Sequence, residues 1–135
     1  NAMDLAAFFQ MLLQEGTYAG KQYLKPETVR EFTAAHFQGN NNRRGLGFDK
    51  PSIRPGEAGP SAQRASVSSY GHSGFTGTYA WVDPREDLVY VFLSNRVHPD
   101  ASNRKIIETN LRTSIHQLVY EALDRGRKEF TLYFQ

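Results

Sequence analysis

Apolar side chains recur at three- and four-residue spacing near the start of the chain, at Leu5, Phe8, Phe9, Leu12 and Leu13, with Asp4 ahead of them and Gly16 behind. This is the stripe of an amphipathic helix that Asp4 can cap and Gly16 can end. After the Gly-bounded stretch Thr17 to Lys21, Tyr23-Leu24 leads into Pro26, which suits a first helical position. Val29, Phe32 and Thr33 carry a second, short helix to about Ala35. Residues 39–66 lose all periodicity. Asn40-Asn41-Asn42-Arg43-Arg44, three prolines and several Gly and Ser predict a long loop, broken only by a short strand at Leu46-Gly47-Phe48.

The clearest strand signals follow. Thr78–Val82 and Leu88–Leu93 flank the turn-forming run Asp83-Pro84-Arg85-Glu86-Asp87 and predict an antiparallel hairpin. Tyr79 and Trp81 alternate with smaller residues, whereas Leu88-Val89-Tyr90-Val91-Phe92-Leu93 is apolar at every position, the pattern of a central strand covered on both faces. Helices must therefore flank the sheet. The segment Asn103–Asp124 places Ile107, Leu111, Ile115, Leu118 and Ala122 on one stripe, widened by Ile106, Val119 and Leu123, and predicts one long helix lying on it. No internal repeat interrupts this order.

Composition narrows the function classes. The 135 residues suit a single domain, and 39% hydrophobic with 13% aromatic residues suffice for a core. Sixteen Lys and Arg against 14 Asp and Glu leave a net charge of +2, so no basic field points to nucleic acid. The absence of cysteine excludes disulfides, thiolate zinc sites and cysteine nucleophiles. The longest apolar run, Leu88–Leu93, is far below the roughly 20 residues that span a bilayer. Asn1-Ala2-Met3 reads as the remnant of a cleaved tag. The final Leu132-Tyr133-Phe134-Gln135 resembles the end of a protease-recognition tag, behind a basic and aromatic tail over 125–135.

The run Tyr70-Gly71-His72-Ser73-Gly74-Phe75-Thr76-Gly77-Thr78 has three glycines ahead of a strand. Such glycines mean close backbone approach or positive φ, and an ordinary Gly-rich bulge is one reading of them. With Tyr70–Pro84 and Leu88–Arg96 taken together, the chain resembles the last third of the penicillin-recognising serine hydrolases: class C β-lactamases, D-alanyl-D-alanine peptidases and related esterases. His72-Ser73-Gly74 matches the Lys/His-Thr/Ser-Gly triplet that begins an inner strand of that fold. Asp4–Phe37, including Pro26-Glu27-Thr28-Val29, and Leu46-Gly47-Phe48 extend the likeness over nearly all of 4–124.

The resemblance implies an α/β (α+β) architecture, the C-terminal portion of the β-lactamase/DD-peptidase fold, with an antiparallel sheet of about three strands between flanking helices. It also implies site roles. Acyl transfer needs a donor aimed at the developing oxyanion, and the backbone N–H of Phe75 would supply it. Ser73 would hydrogen-bond a substrate carboxylate or amide, Gly74 would leave room along the strand, and His72 would polarise the protons around the nucleophile and base. No cofactor and no metal are implied. The parent would hydrolyse an ester, an amide or a β-lactam, including those of cell-wall peptides, in a periplasmic or cell-envelope setting. Phe92-Leu93-Ser94-Asn95-Arg96-Val97-His98-Pro99 is most similar to such domains appended to family 3 glycoside hydrolases acting on N-acetylglucosaminides.

The departures from the family pattern matter as much. Its nucleophile signature Ser-x-x-Lys and the Tyr-x-Asn that follows are absent from their expected places. The literal match Ser102-Asn103-Arg104-Lys105 comes after the last strand and reads as Ser102 capping the final helix. The expectation is a fragment inactive alone; the rival is a non-catalytic docking or cell-wall-binding module. His36, His98 and His116 show no metal-ligand spacing and read as surface or helix-face histidines. Arg43-Arg44 and Arg125-Gly126-Arg127-Lys128 suit contact with an anionic polymer about as well as a solvated loop and a helix C-terminus, and Tyr79, Trp81 and Tyr90 read as cross-strand packing rather than a sugar platform. The free edge of Leu88–Leu93 is expected to pair with a missing N-terminal portion, a neighbouring chain, or the tail Glu129–Phe134 in strand form.

Overall fold

The computed structural model describes residues 1–37, 42–52, 54 and 59–133, with side chains to Glu129. Residues 39–41, 53 and 55–58 of the predicted loop, Asn40 and Asn41 among them, and Phe134 of the tail lie outside the described residues.

Helix α1 spans Ala2–Leu13. Its cap is Asn1 and not Asp4: Asn1 Oδ1 accepts from the N–H of Met3 (2.8 Å) and of Asp4 (3.1 Å), and Asp4 Oδ2 accepts from Asn1 Nδ2 at 2.8 Å. Asparagine caps as well as aspartate, and an acidic residue three positions on completes the box, so the residues read as a tag remnant start the helix. Phe9, Met11 and Leu12 are buried, while Phe8 of the predicted stripe is exposed. The helix ends through Glu15 (φ 51°) and Gly16 (φ 92°), where an added Cβ would meet the carbonyl of Leu24.

Strands β1 (Thr17–Tyr18) and β2 (Lys21–Gln22) form a small hairpin through Ala19 and Gly20, both at positive φ, a two-residue turn of the kind that matches strand twist. Helix α2 (Pro26–Thr33) begins with proline in its first turn, as predicted.

The main sheet has the order β3 (Tyr70–Ser73), β4 (Tyr79–Asp83), β5 (Leu88–Phe92), all antiparallel. This is the predicted mixed α/β arrangement, with two corrections to the strands. The central, wholly buried strand is β4; β5 is an edge strand, half-buried along its length, with no strand on its outer side among the described residues. Leu46-Gly47-Phe48 forms no strand. Its neighbour Asp49 makes one bridge to Gly71, exchanging N–H···O bonds of 2.7 and 3.0 Å.

Strand alternation divides the sheet into two faces. Tyr70, Ala80, Val82, Val89 and Val91 meet Phe9, Met11 and Leu12 of α1 and Val29 of α2. Tyr79, Trp81 and Asp83 turn to the other side, under the C-terminal helical segment. That segment is not one helix: α3 (Lys105–Glu108) is separated from α4 (Leu111–Tyr133) by Thr109 and Asn110, the latter at φ 51°. Helix α4 continues through residues predicted as an extended tail, so that tail does not pair with β5.

The phase of α4 also differs from the expected stripe. His116 and Tyr120 are completely buried, whereas Leu111 and Leu118 are 43% and 58% exposed. Polar atoms explain the inversion, because each buried ring finds a partner for one polar atom, with His116 Nε2 left without one among the described residues. The Tyr120 hydroxyl donates to Asp83 Oδ2 at 2.7 Å, and His116 Nδ1 lies 3.0 Å from the Tyr79 hydroxyl. His116 stacks on Tyr90 at 4.7 Å between centroids, and Tyr79 stacks on Trp81 at 5.7 Å. The three strand aromatics thus pack within the core, as read from the sequence. His116 is a core residue, contrary to its reading as a surface or helix-face histidine.

Candidate active site

Strand β3 ends in the triplet His72-Ser73-Gly74, and the turn after it is held tightly. Gly74 N–H donates to Thr78 O (2.8 Å) and Gly77 N–H to Gly74 O (3.0 Å). Gly77 sits at φ 96°, where a side chain would be strained, and a Cβ on Gly74 would run into the Thr78 hydroxyl. Gly71, one step before the triplet, lies against the Ala80 carbonyl and the Trp81 ring with no space for a Cβ.

Alternation along β3 separates the side chains of the triplet. Ser73 is on the α4 side and lines a cavity of about 90 Å³ with Tyr79, Asn110, Arg112 and Thr113. Its hydroxyl makes no hydrogen bond among the described residues. Arg112, whose Nη1 reaches Thr78 O at 3.4 Å, brings a cation to the same cavity. His72 is on the other side and exposed. Its Nδ1 lies 2.9 Å from Ser73 O, and its Nε2 lies 3.2 Å from Arg44 Nη1. Since the guanidinium can only donate, Nε2 is the acceptor in the contact with Arg44.

Arg44 is a contact that sequence reading missed, since it comes from a loop 28 residues earlier. It and Arg43 form ion pairs of 3.3 and 3.5 Å with buried Asp49, which the bridge to Gly71 fixes beside β3. What reads locally as a solvated basic pair is a clamp on the strand that carries the triplet.

The N–H of Phe75 has no partner among the described residues, and its ring is 73% exposed. Its carbonyl accepts from Arg96 Nε at 2.7 Å, while the Arg96 guanidinium lies 4.5 Å from the ring centroid. Arg96 Nη1 also donates to Ala101 O and Asn103 O, each at 2.9 Å, so one side chain fastens the 96–103 loop to the turn. No cluster of metal-ligating side chains occurs among the described residues, and no helix there is long and apolar enough to cross a membrane.

Ser102 does not cap α3, contrary to expectation. Its hydroxyl donates to Asp100 Oδ2 (2.6 Å) and its N–H to Oδ1 (2.8 Å); it is Asn103 Oδ1 that accepts from Lys105 N–H. Ser102 lies in an exposed turn and Lys105 opens α3. The segment Arg125-Gly126-Arg127-Lys128 lies within α4 rather than at its end, with Arg127 paired to Glu86 at 2.6 Å.

The family model described as Beta-lactamase matches residues 1–113. A Salmonella enteritidis PT4 protein named for D-alanyl-D-alanine carboxypeptidase activity is 31% identical over 106 residues, covering 76% of this chain and 23% of its own length. A Salmonella paratyphi B protein of the same name matches to the same extent. The crystal structure of a β-lactamase from Mycobacterium bovis superposes with a TM-score of 0.64 at 24% identity, covering 89% of this chain and 43% of that one. The chain thus spans less than a quarter of the curated relatives it matches.

Proposed function

We propose, from the premise that this chain belongs to the beta-lactamase family, that it forms the substrate-binding and oxyanion wall of an acyl-serine hydrolase. The observation that carries this reading is the presence, at and just after the end of β3, of a Ser73 hydroxyl in one cavity with Arg112 and of a Phe75 N–H, neither with a hydrogen-bond partner among the described residues. The N–H would receive the oxyanion of the tetrahedral intermediate, held in place by the turn and by the bond from Arg96 to the Phe75 carbonyl. Ser73 and Arg112 would hold a substrate carboxylate, as a peptide C-terminus or a β-lactam acid presents. His72, steadied by Arg44, would take part in the proton network through Nε2 once Arg44 yields it. The substrate class is an ester, an amide or a β-lactam bearing a carboxylate.

On this reading the nucleophile would come from sequence outside these 135 residues, since the single Ser-x-x-Lys here runs from the turn at Ser102 into the start of α3. The chain alone is therefore expected to turn over neither a chromogenic cephalosporin nor a short-chain nitrophenyl ester, because an oxyanion donor without an attacking group has nothing to stabilise. Turnover that Ser102→Ala abolishes would refute this assignment. The missing signature also favours a second reading, a non-catalytic docking or cell-wall-binding module.

The two readings separate in a longer protein that includes the upstream sequence. For the hydrolase, Ser73→Ala and Arg112→Ala should each reduce kcat/KM on a carboxylated substrate by about 10²-fold, the scale of losing one such contact in the transition state. His72→Ala should slow acylation. Ordinary rates in all three variants would remove these residues from the mechanism. The outer edge of β5 belongs to the same proposal: the strands of the remaining fold would pair there, with a second copy of the chain as the substitute in their absence.

A further inference from the structure

On the α1 side of the sheet, away from the Ser73 cavity, Lys50 is 6% exposed and forms no ion pair among the described residues. Its Nζ donates to two carbonyls, Thr33 O at 3.0 Å and Ser68 O at 2.9 Å, and sits 5.6 Å from the Tyr70 ring centroid. An ammonium has three N–H donors, so one is left over. Burial pushes the Lys50 pKa down to about 8, against the opposing pull of Asp83, and the group is still mainly charged at neutral pH. A buried cation without a counter-charge is unfavourable unless something supplies one.

Lys50 opens onto a cavity of about 330 Å³ whose walls are apolar at Leu12, Leu13, Val29 and Pro84 and polar at Thr33 and Ser68, with Glu15 and Arg30 also on its lining. That volume is at the small end of ligand sites, which set a few polar groups among apolar walls. Glu15 stands at the rim and would repel an anion, but Arg30 holds both of its oxygens, Nε at 2.9 Å and Nη2 at 2.7 Å, which neutralises it.

We propose that this cavity binds a small monocarboxylate with an apolar body, of the size of a short aliphatic acid. The carboxylate takes the third Nζ–H of Lys50, and the chain lies against Leu12, Leu13 and Val29. The site is distinct from the Ser73–Arg112 cavity, which lies across the sheet; His72 shares the α1-side face with Tyr70.

The test is an NMR titration of the chain, following the methyl signals of Leu12, Leu13 and Val29, with hexanoate, hexanol and hexylammonium as probes. Hexanoate should produce saturable shifts at these methyls and bind at least tenfold more tightly than hexanol, while hexylammonium should not saturate. In Lys50→Met the preference for hexanoate over hexanol should vanish. Absence of saturable shifts with hexanoate, or equal affinity for hexanol in the unaltered chain, overturns the proposal. The comparison of probes in the unaltered chain decides the matter even where Lys50→Met does not fold.

Discussion

Replacing Asp83 with alanine should lower the folding free energy by about 3–5 kcal/mol, the scale seen when one member of a buried charged network is removed. Asp83 ends β4 in full burial and gathers four donors: Ser66 N–H (2.8 Å), Ser66 Oγ (2.5 Å), Arg85 N–H (3.1 Å) and the Tyr120 hydroxyl (2.7 Å). Burial alone would raise its pKa, but the bonds from Ser66, Tyr120 and Arg85 outweigh it and hold the carboxyl below the ordinary value. Alanine would strand the donors of three separate segments. A urea denaturation series measures the loss. Tyr120→Phe and Ser66→Ala, which each remove part of the network, should be milder, at about 1–2 kcal/mol. An Asp83→Ala loss below about 1 kcal/mol would show that water replaces the carboxylate and that the network is not a structural hub.

The second large effect is acid sensitivity. His116 is completely buried against Tyr79, Tyr90 and Tyr120, and burial pulls its pKa down to about 4, partly offset by the charge of Asp83. In the unfolded chain the same ring titrates near the ordinary histidine value, about 6.5. Between these two values the unfolded state binds the additional proton, so stability is full above about pH 6.5 and declines as the pH falls toward 4. The decline is on the order of 3 kcal/mol for a group shifted this far. Below that range Asp83, whose folded pKa is depressed, adds a further loss as it protonates. Urea midpoints measured from pH 7.5 to 4.5 should show the slope, and His116→Gln should flatten it. A profile that is already flat in the unaltered chain, or unchanged in the variant, would mean that the ring is not held neutral by its surroundings.

What the sequence reveals and what it hides follow a physical division. Helix α2 and the β4–β5 hairpin rest on local chemistry, a proline at a helix start and turn formers between two β-rich runs, and both lie within about two residues of their predicted bounds. The family resemblance implies that His72-Ser73-Gly74 begins an inner strand, whereas the triplet closes β3 and β4 starts only at Tyr79. Rank within the sheet was not legible either. The six apolar residues of Leu88–Leu93 suggested a central strand, yet β5 is at the edge and β4, with its alternating aromatics, is the covered one. Hydropathy cannot see this, because it depends on which distant segment pairs alongside.

The phase of α4 was hidden for a different reason. His116 and Tyr120 count as polar or amphipathic, and only the partners brought by β4, the Tyr79 hydroxyl and the Asp83 carboxylate, make their burial favourable. The approach of Arg44 to His72, and the cavity that Ser73 shares with Arg112, likewise join segments far apart in the chain.

The two fastenings of α4 answer to different solution conditions. Its early turns are held by stacked rings, while farther along Arg127 and Arg64 converge on Glu86 at 2.6 and 3.2 Å and Arg64 bridges to Asp124 at 3.2 Å. Ionic strength weakens the second fastening and leaves the first almost untouched. The helix therefore loosens directionally as salt rises: amide hydrogen exchange accelerates first beyond Asp124, and the turns around His116 keep their protection until the whole sheet opens.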